Sequence, residues 1–322
     1  MDQQKGGAGA FACQLPAHHS SRPPVAPCEN RTVNLRPADE TPHLRIVNVD
    51  GLDLALWEWP GADPPLIFTH ATGFHGRLWD YIIRRLPGRR CLAVETRGHG
   101  RSARPDPPYR WRYLGRDLAG ILRSLGVRGA FGIGHSSGGH SMVQAAALDP
   151  AAFAAMLLID PTIFPAIRYG GAPLDFAFTL RRKNIWRSPE EMIERFSNRP
   201  PFVTWLPEIL RDYCQFGLLP SGDHLELACP PAAEASIYEE SIAPESNIYA
   251  EVAQVTAPAT ILRAGIARQP GQLDLAASPT APDLAARFAR GRDVVLEGVS
   301  HFIPMEFPGR VIEEVGSMCG AG

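Results

Sequence analysis

The sequence predicts an α/β protein with a mostly parallel central sheet, flanking helices and an inserted helical cap. Three observations carry this reading. From about residue 65 to residue 160, short apolar runs alternate with helix-like segments, the pattern of parallel strands covered on both faces. The alternation stops between residue 161 and about residue 250, then resumes. At one strand-to-helix junction stands Gly134-His135-Ser136-Ser137-Gly138, where a tight turn wants glycine on both sides and leaves a serine exposed at the strand end.

Taken in order, residues 1–40 are rich in Gly, Pro, Ala and Ser without periodicity and read as a disordered leader. A first core segment spans 41–160. It opens with a hairpin: Leu44–Val49 and Leu52–Trp59 flank Asp50-Gly51, a two-residue turn signal. A strand at Pro65–His70 leads into Ala71-Thr72-Gly73-Phe74 and a helix over Leu78–Leu86. A strand at Cys91–Val94, a Gly-rich loop and a helix over Tyr113–Leu125 follow. Next come the strand Ala130–Ile133, the pentapeptide, a helix from Ser141, and the strand Ala155–Ile159 closed by Asp160-Pro161. Residues 161–250 read as the cap, with helices at Ala177–Lys183, Pro189–Phe196 and Leu206–Phe216. The second core segment, 251–322, holds a strand at Ala259–Arg263, a helix over Leu284–Arg290, a strand at Asp293–Leu296 and a helix over Pro308–Ser317.

Composition narrows the function classes. The 322 residues are 45% hydrophobic, enough for a large core, and the formal net charge of −2 gives no basis for binding nucleic acid or an anionic membrane. No apolar stretch has the length of a membrane span. The N-terminus lacks a basic region followed by an apolar one, so no secretory signal is read and a cytoplasmic setting is expected. Six cysteines without C-x-x-C spacing read as free thiols, and His18-His19 reads as part of the leader rather than as a metal pair. Neither metal nor cofactor is expected.

A serine hydroxyl attacks a carbonyl only with help from a base, usually histidine, and from a carboxylate that orients the base. Ser136 is the candidate nucleophile. His301 is the candidate base, on a loop after the last strand, where a side chain reaches back across the carboxyl edge of the sheet. Asp274, in the loop after the strand ending near Leu262, is the expected acid; Asp160 and Asp283 are the alternatives. The oxyanion formed on attack needs donors, expected from the backbone N–H groups of Ser137 and Thr72. His70, Phe74, His75, His135, Trp205 and Phe302 are the candidate substrate-binding residues.

Four blocks resemble those of the α/β-hydrolase family, in the family's order. They are His70-Ala71-Thr72-Gly73-Phe74; Glu95-Thr96-Arg97-Gly98-His99-Gly100-Arg101-Ser102; the pentapeptide; and Gly298 to Glu306. Two departures stand out: Ala71 where the family usually has glycine, and Glu95 where it usually has aspartate. The resemblance implies an α/β-hydrolase fold and a cap over the nucleophile. Phe164, Phe176, Phe178, Trp186, Phe202, Trp205 and Phe216 supply aromatic area in that cap, most of it expected in the cap's own core. Arg181-Arg182-Lys183 reads as a solvated helix face, with a substrate carboxylate as the alternative role. The implied activity is a cofactor-independent serine hydrolase acting on a small ester or lactone through an acyl-enzyme. A carbon–carbon bond hydrolase or perhydrolase would share the same residues. A non-catalytic ligand receptor or scaffold is the alternative of another class.

Overall fold

A computed structural model of the chain describes residues 36, 40–86, 88–171, 176–266 and 274–320. The first core segment runs β1 (His43–Val49), β2 (Leu52–Trp59), β3 (Ala62–Thr69), α1 (Asp80–Ile83), β4 (Arg89–Val94), α2 (Trp111–Ser124), β5 (Ala130–His135), α3 (Ser137–Leu148) and β6 (Phe153–Ile159). The cap follows with α4 (Ala177–Leu180), β7 (Ile185–Trp186), α5 (Pro189–Phe196), α6 (Pro207–Phe216), β8 (Leu218–Ser221), β9 (His224–Leu227) and α7 (Pro231–Glu239), after which α8 (Tyr249–Gln254) returns to the core, with Val252 in the cluster of α2 and α3. The core then resumes with β10 (Ala259–Ala264), β11 (Gly291–Leu296), α9 (Ile303–Glu306) and α10 (Pro308–Gly320).

Eight strands form the central sheet in the order β1-β2-β4-β3-β5-β6-β10-β11. β1 and β2 pair antiparallel through Asp50 and Gly51, whose φ values of 51° and 83° suit a tight hairpin turn, and β2 pairs antiparallel with β4. All remaining pairs are parallel. Alternate residues of the central strands serve opposite faces. On β6, Met156 and Leu158 pack toward α2 and α3 in one apolar cluster. Leu157 and Ile159 pack in the other, with residues of α1 and α10. Two-sided burial explains why these strands read as continuous apolar runs.

Several elements differ from the expectation. The helix expected over Leu78–Leu86 is a 3-10 turn at Gly76–Trp79 followed by the single turn of α1, and the one expected over Leu284–Arg290 is a 3-10 turn at Leu284–Arg287. The sequence reading gave no sign of α7 or of the three-stranded ribbon β7-β9-β8. Strands this short leave too few residues for an alternating pattern. The leader expected over 1–40 lies outside the described residues except for Arg36 and Glu40, as do Cys13, Cys28 and His18-His19. Arg36 is buried and donates to the carbonyls of Ile83 and Pro60 at 3.2 and 2.9 Å, so packing begins before residue 41.

The cap shares a core with the sheet domain. Trp186, Met192, Trp205, Ile209 and Tyr213 from the cap form one buried cluster with Phe74, Leu78, Phe302 and Met305 from the core segments. Arg84, just past α1, donates to Asp212 on α6 at 3.0 Å across the same junction.

Candidate active site

Parallel strands end along one edge of the sheet, and the loops leaving that edge carry the site. Ser136 sits between β5 and α3 with φ 56° and ψ −121°, a left-handed backbone that a side chain adopts only under strain. The turn closes only because its neighbours are small: a Cβ on Gly138 would lie 2.4 Å from the carbonyl oxygen of Thr69. The serine hydroxyl is thereby held at the floor of a cavity of about 240 Å³ between sheet edge and cap.

His301 Nε2 lies 2.9 Å from Ser136 Oγ, and His301 Nδ1 lies 2.7 Å from Asp160 Oδ2. The carboxylate on His301 is therefore that of Asp160, not Asp274. The reason is topological. β6 is the direct neighbour of β5, so a residue one step past β6 stands beside the serine turn. Asp160 itself has φ 41°, which departs from strand geometry at the point where the carboxylate is aimed. Its Oδ1 accepts from the Ala264 N–H at 3.2 Å, Ser278 Oγ at 2.6 Å and Thr280 Oγ1 at 3.1 Å, so the buried charge is amply bonded. Asp274 accepts from Ala276 N–H at 2.8 Å and braces its own loop. That loop supports the site by other means: the Ala276 carbonyl takes the His301 N–H at 2.7 Å. Asp283 pairs with Arg287 at 2.6 Å on the surface.

The remaining predicted residues divide into those that line the cavity and those that brace it. Phe74, Trp205 and Phe302 line it, as does Thr72. Thr72 Oγ1 donates to Ser137 Oγ at 3.0 Å, tying together the two residues expected to supply oxyanion donors. Ser137 opens α3, so its N–H belongs to the first turn, which has no intrahelical acceptor and sits at the positive end of the helix dipole. His70, His75 and His135 do not line the cavity. Each is buried, and burial holds each imidazole neutral: His70 is pushed down to about 4, His75 to about 3, and His135 well below its ordinary value. His70 lies 2.8 Å from the Ala71 carbonyl through Nδ1 and accepts from Thr96 N–H at 3.3 Å, bracing the loop that carries Thr72. His99 does the same from below, accepting from Gly73 N–H at 3.0 Å. His75 Nε2 meets the Tyr213 carbonyl at 3.1 Å, and His135 Nε2 meets that of His301 at 2.9 Å. His135 thus fixes the backbone that carries His301.

Glu95 has a bracing role in the loop after β4. It accepts from Trp57 Nε1 at 3.0 Å and from Arg101 N–H at 2.7 Å. Among the cap aromatics, Phe164, Phe176, Phe178, Phe202 and Trp205 line the cavity, more than the sequence reading assigned to it. Trp186 is buried in the shared core, and Phe216 stacks on the Arg77 guanidinium at 3.8 Å. Arg181-Arg182-Lys183 follows α4 instead of lying on it, and Arg182 alone of the three faces the cavity. The sequence reading also missed Thr162, whose Oγ1 is 3.0 Å from Ser136 Oγ, together with Glu234 and Tyr213. Among the described residues, no three His, Cys, Asp or Glu side chains group as metal ligands would.

The matched strand ends, the serine turn and the cap correspond to a family pattern over most of the chain. The model for the α/β hydrolase family matches residues 66–314. The chain belongs to the α/β hydrolase family. A curated relative, the 2-(acetamidomethylene)succinate hydrolase of Mesorhizobium japonicum, is 25% identical to this hydrolase over 76% of the chain and 83% of the relative. The bifunctional esterase/perhydrolase of Acinetobacter calcoaceticus is 31% identical over 37% of the chain and 45% of that protein. Among solved structures, E-2-(acetamidomethylene)succinate hydrolase superposes with a TM-score of 0.68 at 20% identity, covering 87% of this chain and 99% of that one. A peroxisomal α/β-hydrolase of Saccharomyces cerevisiae gives the same TM-score and identity over 89% of this chain and 86% of that one. At these identities the superpositions speak for the fold. No helix among the described residues is long and apolar enough to cross a membrane.

Proposed function

We propose that this hydrolase is a cofactor-independent serine hydrolase that cleaves a small carboxylic ester or lactone through an acyl-enzyme. The observation that carries the reading is the continuous hydrogen-bonded line Asp160–His301–Ser136, ending at the floor of an aromatic cavity. With Nδ1–H given to Asp160, the Nε2 lone pair of His301 faces the serine hydroxyl. On attack, Ser136 Oγ bonds to the carbonyl carbon as its proton passes to Nε2. Asp160 stabilises the imidazolium without taking the proton. The carbonyl oxygen gains charge beside the Thr72 and Ser137 N–H groups. His301 then protonates the leaving alkoxide, and water attacks the acyl-enzyme by the same steps in reverse order. In a lactone the leaving alkoxide stays tethered to the acyl group.

The cavity wall supports an apolar or aromatic substrate, since burying such area against Phe176, Phe178 and Trp205 contributes about 25 cal/mol per Å². The relatives named as esterase/perhydrolase and as a succinate-derivative hydrolase are compatible with hydrolysis of a small carbonyl compound. The test is direct. A fluorophosphonate probe should label the wild type and not Ser136→Ala, and p-nitrophenyl esters should be turned over by the first alone. Equal labelling or equal turnover would reject Ser136 as the nucleophile.

A further inference from the structure

The cap wall of the cavity carries a charged pair that the reaction above leaves unused. The Arg182 guanidinium donates through Nη1 to Oε2 of Glu234 on α7, and through Nη2 to the Tyr213 hydroxyl on α6 at 3.2 Å. All three side chains line the cavity. Glu234 also presses against the oxyanion loop. A Cβ on Gly73 would lie 2.7 Å from Glu234 Oε1, and Gly73 has φ 81°, so both contact and conformation require glycine there. The pair therefore stands beside the loop that carries Thr72.

Stability does not explain the pair. Apolar residues of similar volume commonly replace a buried ion pair at no cost, and the surrounding wall is already apolar. A few placed polar groups in an aromatic cavity are, in contrast, the usual means of orienting a ligand. Arginine has five N–H donors, and the bonds to Glu234 and Tyr213 account for two. Tyr213 accepts in its bond with Arg182, which leaves its own proton to give. The subsite thus offers donors. Its charge is already balanced, however, and burial already pushes the Glu234 carboxyl above its ordinary value. A second carboxylate would set two anions against one guanidinium in a buried wall, at the cost of an uncompensated charge. A neutral oxygen carries no such cost.

We propose that Arg182, Glu234 and Tyr213 form a recognition subsite for an uncharged oxygen acceptor, a keto or amide carbonyl, on an otherwise apolar substrate. The proposal deepens the serine hydrolase reading and, as an ester substrate's specificity, rests on it.

The test uses three matched p-nitrophenyl ester series of graded chain length. The acyl chain ends in a methyl ketone, in the isosteric isopropyl group, or in a carboxylate. Binding to uncleaving Ser136→Ala, read by calorimetry, and kcat/KM of the wild type are both measured. At one chain length the ketone should be preferred over the isopropyl ester by about tenfold or more, the value of a hydrogen bond to a charged donor. The charge-neutral double variant Arg182→Met/Glu234→Met, which adds no donor, should remove most of the preference and leave only what the Tyr213 hydroxyl supplies. Tyr213→Phe, which keeps the ion pair, should reduce it. Equal binding of ketone and isopropyl esters at every length, tightest binding of the carboxylate, or a preference that survives both variants would overturn the proposal. Selective binding to Ser136→Ala without turnover by the wild type would fault the hydrolase reading and leave the subsite standing.

Discussion

The sheet-edge wall of the cavity and the cap wall differ in what holds their side chains. At the sheet edge, Ser136, Asp160 and His301 sit on loops that directly follow β5, β6 and β11. Each is fixed by several hydrogen bonds, and four bonds converge on the Asp160 carboxylate alone. Apart from the hydrogen-bonded group of Arg182, Glu234 and Tyr213, the cap wall is set by packing. Phe196 and Phe202 stack at 4.3 Å between centroids, and Trp205 meets Phe74 edge-on at 5.6 Å. Hydrogen bonds place atoms within tenths of an ångström, as proton transfer requires. Aromatic packing fixes shape and leaves the chemistry of the occupant open. On the reading proposed above, the difference puts catalysis on one wall and selection on the other.

The largest effect that breaks or sharpens this division is at the acid. Asp160→Asn should lower kcat about 10⁴-fold, because the amide cannot hold the imidazole in the tautomer that faces Ser136. Asp274→Asn should leave kcat within a few-fold, since its contact is with Ala276 N–H in its own loop. The comparison is made by steady-state kinetics on one ester. If Asp274→Asn were the damaging change, the hydrogen-bonded line at the sheet edge would not be the working one.

Legibility in the sequence follows the same division. The serine and histidine were readable because a tight turn demands glycine at Gly134 and Gly138 and because one histidine follows the last strand. The acid was not, because Asp160 and Asp274 both follow strands that end at the same edge. Only the adjacency of β6 to β5 separates them, and strand order is a long-range property. The hydrophobic period revealed the central sheet since its inner strands are buried on both faces. It concealed the ribbon of β7, β8 and β9, in which β7 has two residues and the others four each. His70, His75 and His135 were expected to meet the substrate. Sequence shows that an imidazole is present near a site but not whether its nitrogens are spent on backbone carbonyls.

A smaller effect tests how the two walls are joined. Asp212 on α6 is buried against Asp80, Arg84 and Arg77, and burial, with Asp80 adding to it, pushes its carboxyl up to about 6. A carboxyl raised in the folded state favours folding when protonated. That contribution is complete below the unfolded value near 4 and is lost as pH rises through about 6. Asp212→Asn keeps the neutral form at every pH. Its stability relative to wild type should therefore climb between about pH 4 and pH 6, by roughly 3 kcal/mol, and stay level above. Chemical denaturation at a series of pH values reads the difference. Parallel curves would mean that the Arg84–Asp212 contact carries no protonation-dependent strain between cap and core.

The smallest effect concerns a hydroxyl at the seam between the walls. Thr162 Oγ1 lies 3.0 Å from Ser136 Oγ, and the Thr162 N–H takes the Ser136 carbonyl at 3.0 Å. Proton accounting fixes the direction of the side-chain bond. In the proposed resting state Ser136 gives its one proton to His301 Nε2, so Thr162 donates to the serine oxygen. That donation holds the serine rotamer in line with the base, while drawing some electron density from the attacking atom. Holding a reactive geometry outweighs the second term, because misplacement by fractions of an ångström costs more than one weak donor withdraws. Thr162→Val keeps the shape and the backbone bond and should lower kcat about tenfold with KM little changed, a loss of about 1.4 kcal/mol. Thr162→Ser should restore most of it. A rise in kcat with Val would reverse the argument, showing that the donated bond restrains the nucleophile more than it aims it.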